Sequence, residues 1–442
     1  MNLKRTIAVV TLAVSLWGCG NSMVTEPDSL PEDKTVLVCG TLEPDVTELE
    51  TAVRYYNLLH PDAQIEFRNY SEMEQPLARL QTDIASGRMP DILNLDGLPA
   101  SYLEKGIFAD LTPFYEQDEE LNAGDIAKPL LEAMKTDGAL YYVAPYYELV
   151  TLGGHAADVG EGDGWTFQEM KALLEKKDED VRPFFWESKS EILDELFWGN
   201  GLSDFVDESS GACRFDSQEF KDMLQICSRG TDEMTDYHQD QLTLIRDGKV
   251  LFWEGVLDPK DIPAQEALYG EDFRYIGFPN PEKNGSFFRF PLRFGICDGS
   301  AQKEEAWQFL RNYMTTAYQS DPENGIGGMP TRKDCLESCL AHFSYTESDI
   351  YTDPWGHGLS ALNGTSEYEN GLVIETKPLT KKQIDIYLSV LNRTRRVEQI
   401  DDTIRNILME EAEPYFAGDR SIEDTVSYIQ NRVQTYLGET RS

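Results

Sequence analysis

Residues 77–116 read LARLQTDIASGRMPDILNLDGLPASYLEKGIFADLTPFYE, and this stretch decides the fold. Leu77, Leu80 and Ile84 recur at helical spacing, and Gly87 offers the left-handed residue that ends a helix. Pro90 bars further helix, and Asp91–Leu95 is a short, mostly apolar run of strand length. Asp96-Gly97 turns the chain, and Pro99 can open a second short helix ending at Gly106. Helix, buried strand, turn and helix is the pattern of an α/β domain. Open α/β sheets hold ligands beyond the carboxyl ends of their strands, which makes Asn94 and Asp96 candidate ligand-binding residues. A plain turn with Gly97 accounts for Asp96 equally well.

Upstream, Thr35–Cys39 is a near-continuous apolar run, as expected of a strand buried on both faces. Asp45 and Glu48 have capping-box spacing, and Val46, Leu49, Val53 and Tyr56 form a helical stripe that Pro61 closes. Gln64–Arg68 then alternates like a second strand. Strand–helix–strand followed by helix and strand predicts a doubly wound lobe. Glu43 and Asp45 fall on the same rim as Asn94 and Asp96. Carboxylates and amides at such a rim suit a hydroxyl-rich ligand, because each carboxylate accepts several hydrogen bonds.

A chain of 442 residues is two or three domains or one large bilobal unit, and 40% hydrophobic residues provide for a real core. The net charge of −40 argues against nucleic acid or an anionic membrane surface as partner. Lys4 and Arg5 precede the apolar run Ile7–Leu16, the pattern of a secretion signal too short to span a bilayer. Leu16-Trp17-Gly18-Cys19 resembles a lipobox, with Trp17 in place of the usual small residue. The expectation is a signal peptide over 1–18, lipidation at Cys19 and a flexible tether over 19–34, where Pro27 and Pro31 interrupt a polar run without periodicity. The other six cysteines are scattered, unlike a disulfide framework. Cys335, Cys339 and His342 share a helix face, but a second ligand pair is lacking, so no metal and no cofactor are expected.

The ordered set Gly87, Pro90, Asp91, Tyr102, Gly106, Asp110, Leu111, Thr112 and Pro113 resembles a segment of the bacterial extracellular solute-binding proteins, family 1, the sugar-binding lipoproteins of ABC importers. Lys135–Pro145 resembles that family's hairpin before the crossover between lobes, departing from it at Ala139 and Tyr142. Gly164–Met170, with Thr166 and Glu169 spaced as a capping box, is similar to the start of a second-lobe helix. Arg246–Gly255, Tyr275–Pro281 with Phe287–Cys297, Ser300–Tyr318 and Ile326–Arg332 resemble further family segments, as does Glu410–Asp424 near the end. The resemblance covers nearly all of residues 35–438.

It implies an α/β, two-lobed periplasmic-binding-protein-like fold (type II), each lobe a mixed sheet flanked by helices, with a hinge and an interlobe cleft. The N-terminal lobe would comprise 35–145 plus 288–322, and the C-terminal lobe 146–287 plus 323–442. It also implies ligand contacts at the lobe junction, where Tyr147 and Glu148 stand, and on the segment carrying Trp253 and Glu254. An aromatic face beside an acceptor is how proteins hold a sugar ring. Adjacent strand residues face opposite sides, so one of Trp253 and Glu254 is expected to point away from the cleft. Arg293, and Trp355 from the loop-rich 343–375, complete the candidates; Arg289 and Arg293 could equally pair with the many acids. The aromatic clusters Pro183–Trp186 and Phe197–Asn200 fit the core of the second lobe.

The function so implied is an extracytoplasmic, lipid-anchored, monomeric binding protein, not an enzyme, that passes a carbohydrate to ABC transporter permease subunits. A secreted glycoside hydrolase is the alternative, since acids and aromatics serve that chemistry too, although it needs two carboxylates at a set separation. A lipoprotein presenting ligand to a sensor kinase is a third reading. Neither G-x-S-x-G, H-E-x-x-H nor a phosphate-binding G-x-x-x-x-G-K-[ST] loop occurs in the chain.

Overall fold

The structure is a computed structural model describing residues 35–440, apart from 45–46, 61–62, 100–101, 104–105, 201, 208–209, 235–240, 321–327, 345–350, 353–357, 360–363 and 368–372. It is a mixed α/β architecture built on two principal sheets. In the first, strands Thr35–Thr41, Ala63–Asn69 and Ile92–Asn94 run parallel, with Thr35–Thr41 between the other two. Strand Phe294–Ile296 returns antiparallel at the edge, Phe294 opposite Asn94. The chain thus leaves the central strand to one side and comes back on the other, which creates a topological switch point between Thr35–Thr41 and Ile92–Asn94.

Helix Pro76–Ala85 ends as expected, with Gly87 in the left-handed region at φ +72°. The hairpin Lys135–Thr136 to Ala139–Leu140 turns through Asp137 and Gly138, both at positive φ, as a two-residue turn matched to strand twist requires. The short helix expected between Pro99 and Gly106 lies partly outside the described residues, as does the cap expected from Asp45.

The second sheet is organised around the ten-residue strand Tyr146–His155. Strands Phe252–Val256, Phe273–Tyr275, Phe287–Arg289 and Met329–Pro330 all pair with it antiparallel, and Arg396–Val397 runs parallel to Phe287–Arg289. Its buried residues alternate between two apolar clusters. Leu149 and Phe288 join a cluster that continues into the first sheet through Leu37, Ile92 and Phe294. Val150 and Phe287 join one built on Phe167, Phe184, Phe220 and Ile429. Helix Phe167–Leu174 carries the anticipated capping box: Thr166 Oγ1 accepts from Glu169 N (3.2 Å) and Glu169 Oε2 from Thr166 N (2.8 Å).

Two segments whose apolar residues are spaced as continuous helices, Ala306–Tyr313 within 300–318 and Ile400–Leu408, are interrupted in the structure. Residues 300–318 are not one helix. Helix Lys303–Leu310 passes into a 3₁₀ turn, and Thr315, in extended conformation, caps a separate turn by accepting from Tyr318 N at 3.2 Å. Ile400 is not part of a buried helical stripe. Asp401 is the N-cap of helix Asp402–Phe416, which leaves Ile400 before the cap and 48% exposed.

Among the described residues, segments that join the two sheets are tied together. Val143 and Phe294 exchange backbone hydrogen bonds (2.9 and 3.1 Å), and buried Thr331 donates its hydroxyl to Ala144 O at 2.7 Å.

Candidate functional site

A cavity of about 1060 Å³ opens at the switch point. Its first wall is the pair of loops after strands Thr35–Thr41 and Ile92–Asn94, contributing Thr41, Glu43, Asn94, Asp96 and Gly97. Thr41 and Asn94 organise this wall from beneath. Thr41 Oγ1 accepts from Glu43 N (3.1 Å) and from Asn94 Nδ2 (3.3 Å), while Asn94 Oδ1 accepts from Asp96 N (3.2 Å). Asn94 is buried, so these bonds fix where Glu43 and Asp96 stand. Gly97 follows at φ +76°, a conformation that costs a residue with a Cβ.

The second wall comes from the other sheet: Tyr146, Trp198, Arg289, Glu398 and the turn Gln399–Thr403, with Tyr436 from the last helix. Trp198 Nε1 donates to Glu398 Oε1 at 2.7 Å, and the Arg289 guanidinium lies over the Trp198 ring, 5.7 Å from its centroid. Arg289 is also ion-paired with Glu148. Between the walls, Phe290–Arg293 crosses from sheet to sheet, and Arg293 donates to Asp96 Oδ1 through Nε (3.2 Å) and Nη2 (3.0 Å).

Burial pushes the Asp96 carboxyl up to about 6, with Glu43 and Glu398 adding repulsion; Arg293 opposes this only partly. Burial likewise raises Glu398, against the pull of Trp198 and both arginines. Asp96, Arg293, Glu398, Arg289 and Glu148 therefore form a run of alternating charge across the cavity. With hydrogen-bond acceptors on one wall and the rings of Trp198, Tyr146 and Tyr436 on the other, the site can grip a polar, ring-shaped solute.

Of the sequence candidates, Glu43, Asn94, Asp96 and Arg293 come together here. Glu148 enters indirectly, as the ion-pair partner of Arg289. Tyr147 does not reach the cavity: it is fully buried, its hydroxyl 2.8 Å from that of Tyr387. Trp253 and Glu254 do not line it either. Trp253 packs edge-to-face on Tyr275 at 5.9 Å. Glu254 accepts from Trp186 Nε1 at 3.1 Å, and burial with repulsion from Glu195 raises its pKa. Asp45, Trp355 and Cys19 lie outside the described residues.

Sequence reasoning missed Thr41, Glu398 and Tyr436, and assigned Trp198 with its whole cluster to the core. Phe197 and Phe184 are indeed core, but Trp198, one helical step from Phe197, turns its indole nitrogen to the cavity side. A tryptophan beside Gly199 on a helix end was the only signal; Glu398 had none.

Residues 51–346 match the family model described as bacterial extracellular solute-binding protein, and the chain belongs to that family. Among solved structures, the sugar-binding protein MalE from Xanthomonas citri is 15% identical over 92% of this chain and 98% of its own, with a TM-score of 0.55. A periplasmic oligogalacturonide binding protein from Yersinia enterocolitica is 14% identical over 92% and 100%, with a TM-score of 0.53. An ABC substrate-binding protein from Listeria monocytogenes, solved in complex with cycloalternan, is 18% identical over 92% and 100%, with a TM-score of 0.50. At these identities the likeness establishes the fold. A search of curated proteins finds no match. No helix among the described residues is long and apolar enough to cross a membrane.

Proposed function

We propose that this protein captures a mono- or oligosaccharide in the cavity between its two sheets and delivers it to the permease subunits of an ABC transporter. In this reading it is a monomer held to the outer face of the cell membrane by a lipid on Cys19, with lobes at 35–145 plus 288–322 and 146–287 plus 323–442. It binds without chemistry: the lobes close on the ligand, and the closed shape is what the transporter reads.

The cavity carries the proposal. Its roughly 1060 Å³ lies at the upper end of what small-molecule sites span, room enough for more than one sugar ring. Its lining pairs carboxylates and an amide with aromatic rings, the two surfaces a pyranose presents partners for. The three structural relatives, one in complex with cycloalternan, one an oligogalacturonide binding protein and one a sugar-binding protein, support the same ligand class.

A thermal-shift screen against saccharides, peptides and polyamines tests it. A ligand that binds only the folded state raises stability by RT ln(1 + [L]/Kd), about 2.7 kcal/mol at a hundredfold excess. A shift with a saccharide and no cleavage after long incubation is the expected result. Cleavage would make the protein a hydrolase, and a shift with peptides alone would end the carbohydrate reading.

A further inference from the structure

The charge of the ligand can be read from the cavity, given the carbohydrate reading above. Both guanidinium groups on its wall are already engaged. Arg293 holds Asp96 through two nitrogens, and Arg289 holds Glu148 while stacking on Trp198. Turning either arginine toward an incoming anion strands a carboxylate that is no more than 16% exposed. Against these two cations the lining sets five carboxylates: Glu43, Asp96, Glu398, Asp401 and Asp402. Three are satisfied from within. Asp96 has Arg293, Glu398 has Trp198, and Asp401 accepts from Ile404 N and the Tyr436 hydroxyl, each at 3.0 Å. Asp402 is exposed at the start of its helix, and the Glu43 carboxylate has no hydrogen-bond or ion-pair partner among the described residues. It stands on the first wall, held only through its backbone by Thr41.

A cavity with surplus negative charge and, among the described residues, no unpaired cation repels anions, and the net charge of −40 reinforces that field at longer range. We infer that the site takes uncharged or amine-bearing saccharides and refuses uronates, with Glu43 as the acceptor that selects a hydroxyl or ammonium donor. Exclusion comes from each arginine's charge being matched by a carboxylate it already holds; preference comes from Glu43 being unpaired.

The experiment compares three trisaccharides on the full-length chain: maltotriose, the glucosamine trimer and trigalacturonate. Conditions lie below the amine pKa and above that of the uronate carboxylates, at low and high salt. Maltotriose and the glucosamine trimer should raise the melting temperature and trigalacturonate should not. The glucosamine trimer alone should lose affinity with salt. Glu43→Gln should lower the ratio of glucosamine-trimer to maltotriose affinity about tenfold, a change of about 1.4 kcal/mol. Glu43→Lys should raise trigalacturonate binding relative to maltotriose, a gain that misfolding cannot mimic. Trigalacturonate binding within tenfold of maltotriose overturns the charge assignment and leaves the carbohydrate reading standing. A shift with spermidine and with none of the sugars overturns the carbohydrate reading while supporting the charge assignment.

Discussion

Asp96→Asn should make the unliganded protein more stable, although it removes one half of an ion pair. Burial raises the Asp96 carboxyl from 3.8 to about 6 in the folded state in spite of Arg293, so its ionised form is held at a cost. At about 1.4 kcal/mol per pH unit, that gap sets a ceiling of about 3 kcal/mol on the cost at neutral pH. The amide keeps one acceptor for Arg293, and the pull of Arg293 on the charged form is already contained in that raised value; partial solvent screening of a carboxylate that is 16% exposed brings the figure below the ceiling. The net expectation is a gain of about 1–2 kcal/mol for the variant above pH 6.

The sign of the pH dependence follows from proton counting. Between about pH 4 and about pH 6 the unfolded state has lost this proton and the folded state retains it, so stability falls as pH rises through that window. Above about 6 both states are ionised and the contribution is constant; below about 4 both are protonated and it vanishes. The difference between wild type and Asp96→Asn, from urea melts at a series of pH values, should therefore be near zero at the acid end and grow to its plateau by about pH 6. Effects of the other carboxylates cancel in that difference. A variant less stable than wild type at neutral pH, with the deficit already present at about pH 5, would refute the reasoning. It would mean that Arg293 outweighs desolvation and the folded carboxyl lies below its ordinary value.

Three further outcomes follow from the geometry. Trp198→Phe removes the donor to Glu398 and the larger face under Arg289; it should weaken ligand binding by about tenfold in calorimetry, while a loss confined to stability would return Trp198 to the core. Tyr147→Phe leaves the Tyr387 hydroxyl without its buried partner and should cost about 1–2 kcal/mol in denaturant melts with ligand affinity unchanged. Gly97→Ala forces a Cβ into φ +76° at 3.2 Å from Glu43 Oε1; it should cost about 1 kcal/mol or more and weaken binding together, and an unaffected affinity would show that Glu43 is not a contact.

What was legible in the sequence was the first wall. Asn94 and Asp96 could be found because a buried strand between a helix-ending Gly87 and a turn at Gly97 fixes which residues leave the sheet at its carboxyl end. That is a local argument of about ten residues. The second wall had no local argument. Glu398 reaches the cavity because edge strand Arg396–Val397 pairs with Phe287–Arg289, more than a hundred residues earlier in the chain. Trp253 and Glu254 show the converse failure. Their motif placed the strand correctly, as Phe252–Val256, but a residue's face depends on register against Tyr146–His155. Glu254, opposite Leu152, ends against Trp186 and Glu195, away from the cavity's lining.

The cost carried by Asp96 connects the site to the segments that cross between the sheets. Phe290–Arg293 is one of those segments, and its neighbour in the chain, Phe294, is locked to Val143, which Thr331 in turn supports by holding Ala144. These backbone bonds do not involve the cavity side chains, so they can persist while the walls move. The Asp96–Arg293 pair is different in kind: it ties a loop of the first sheet to the crossing segment itself, with a carboxylate that burial disfavours. A ligand hydroxyl donating to that carboxylate would relieve part of its desolvation, and the relief is available only while both walls enclose it. In the closure proposed above, the cost carried by Asp96 is what ligand binding would relieve to favour the closed arrangement, the differential interaction a population shift requires. It follows that Asp96→Asn should bind ligand more weakly, by an amount no larger than its stabilisation of the empty protein. The two effects share one cause, and comparing them by calorimetry and denaturation on the same variant measures how much of the closure energy this carboxylate supplies.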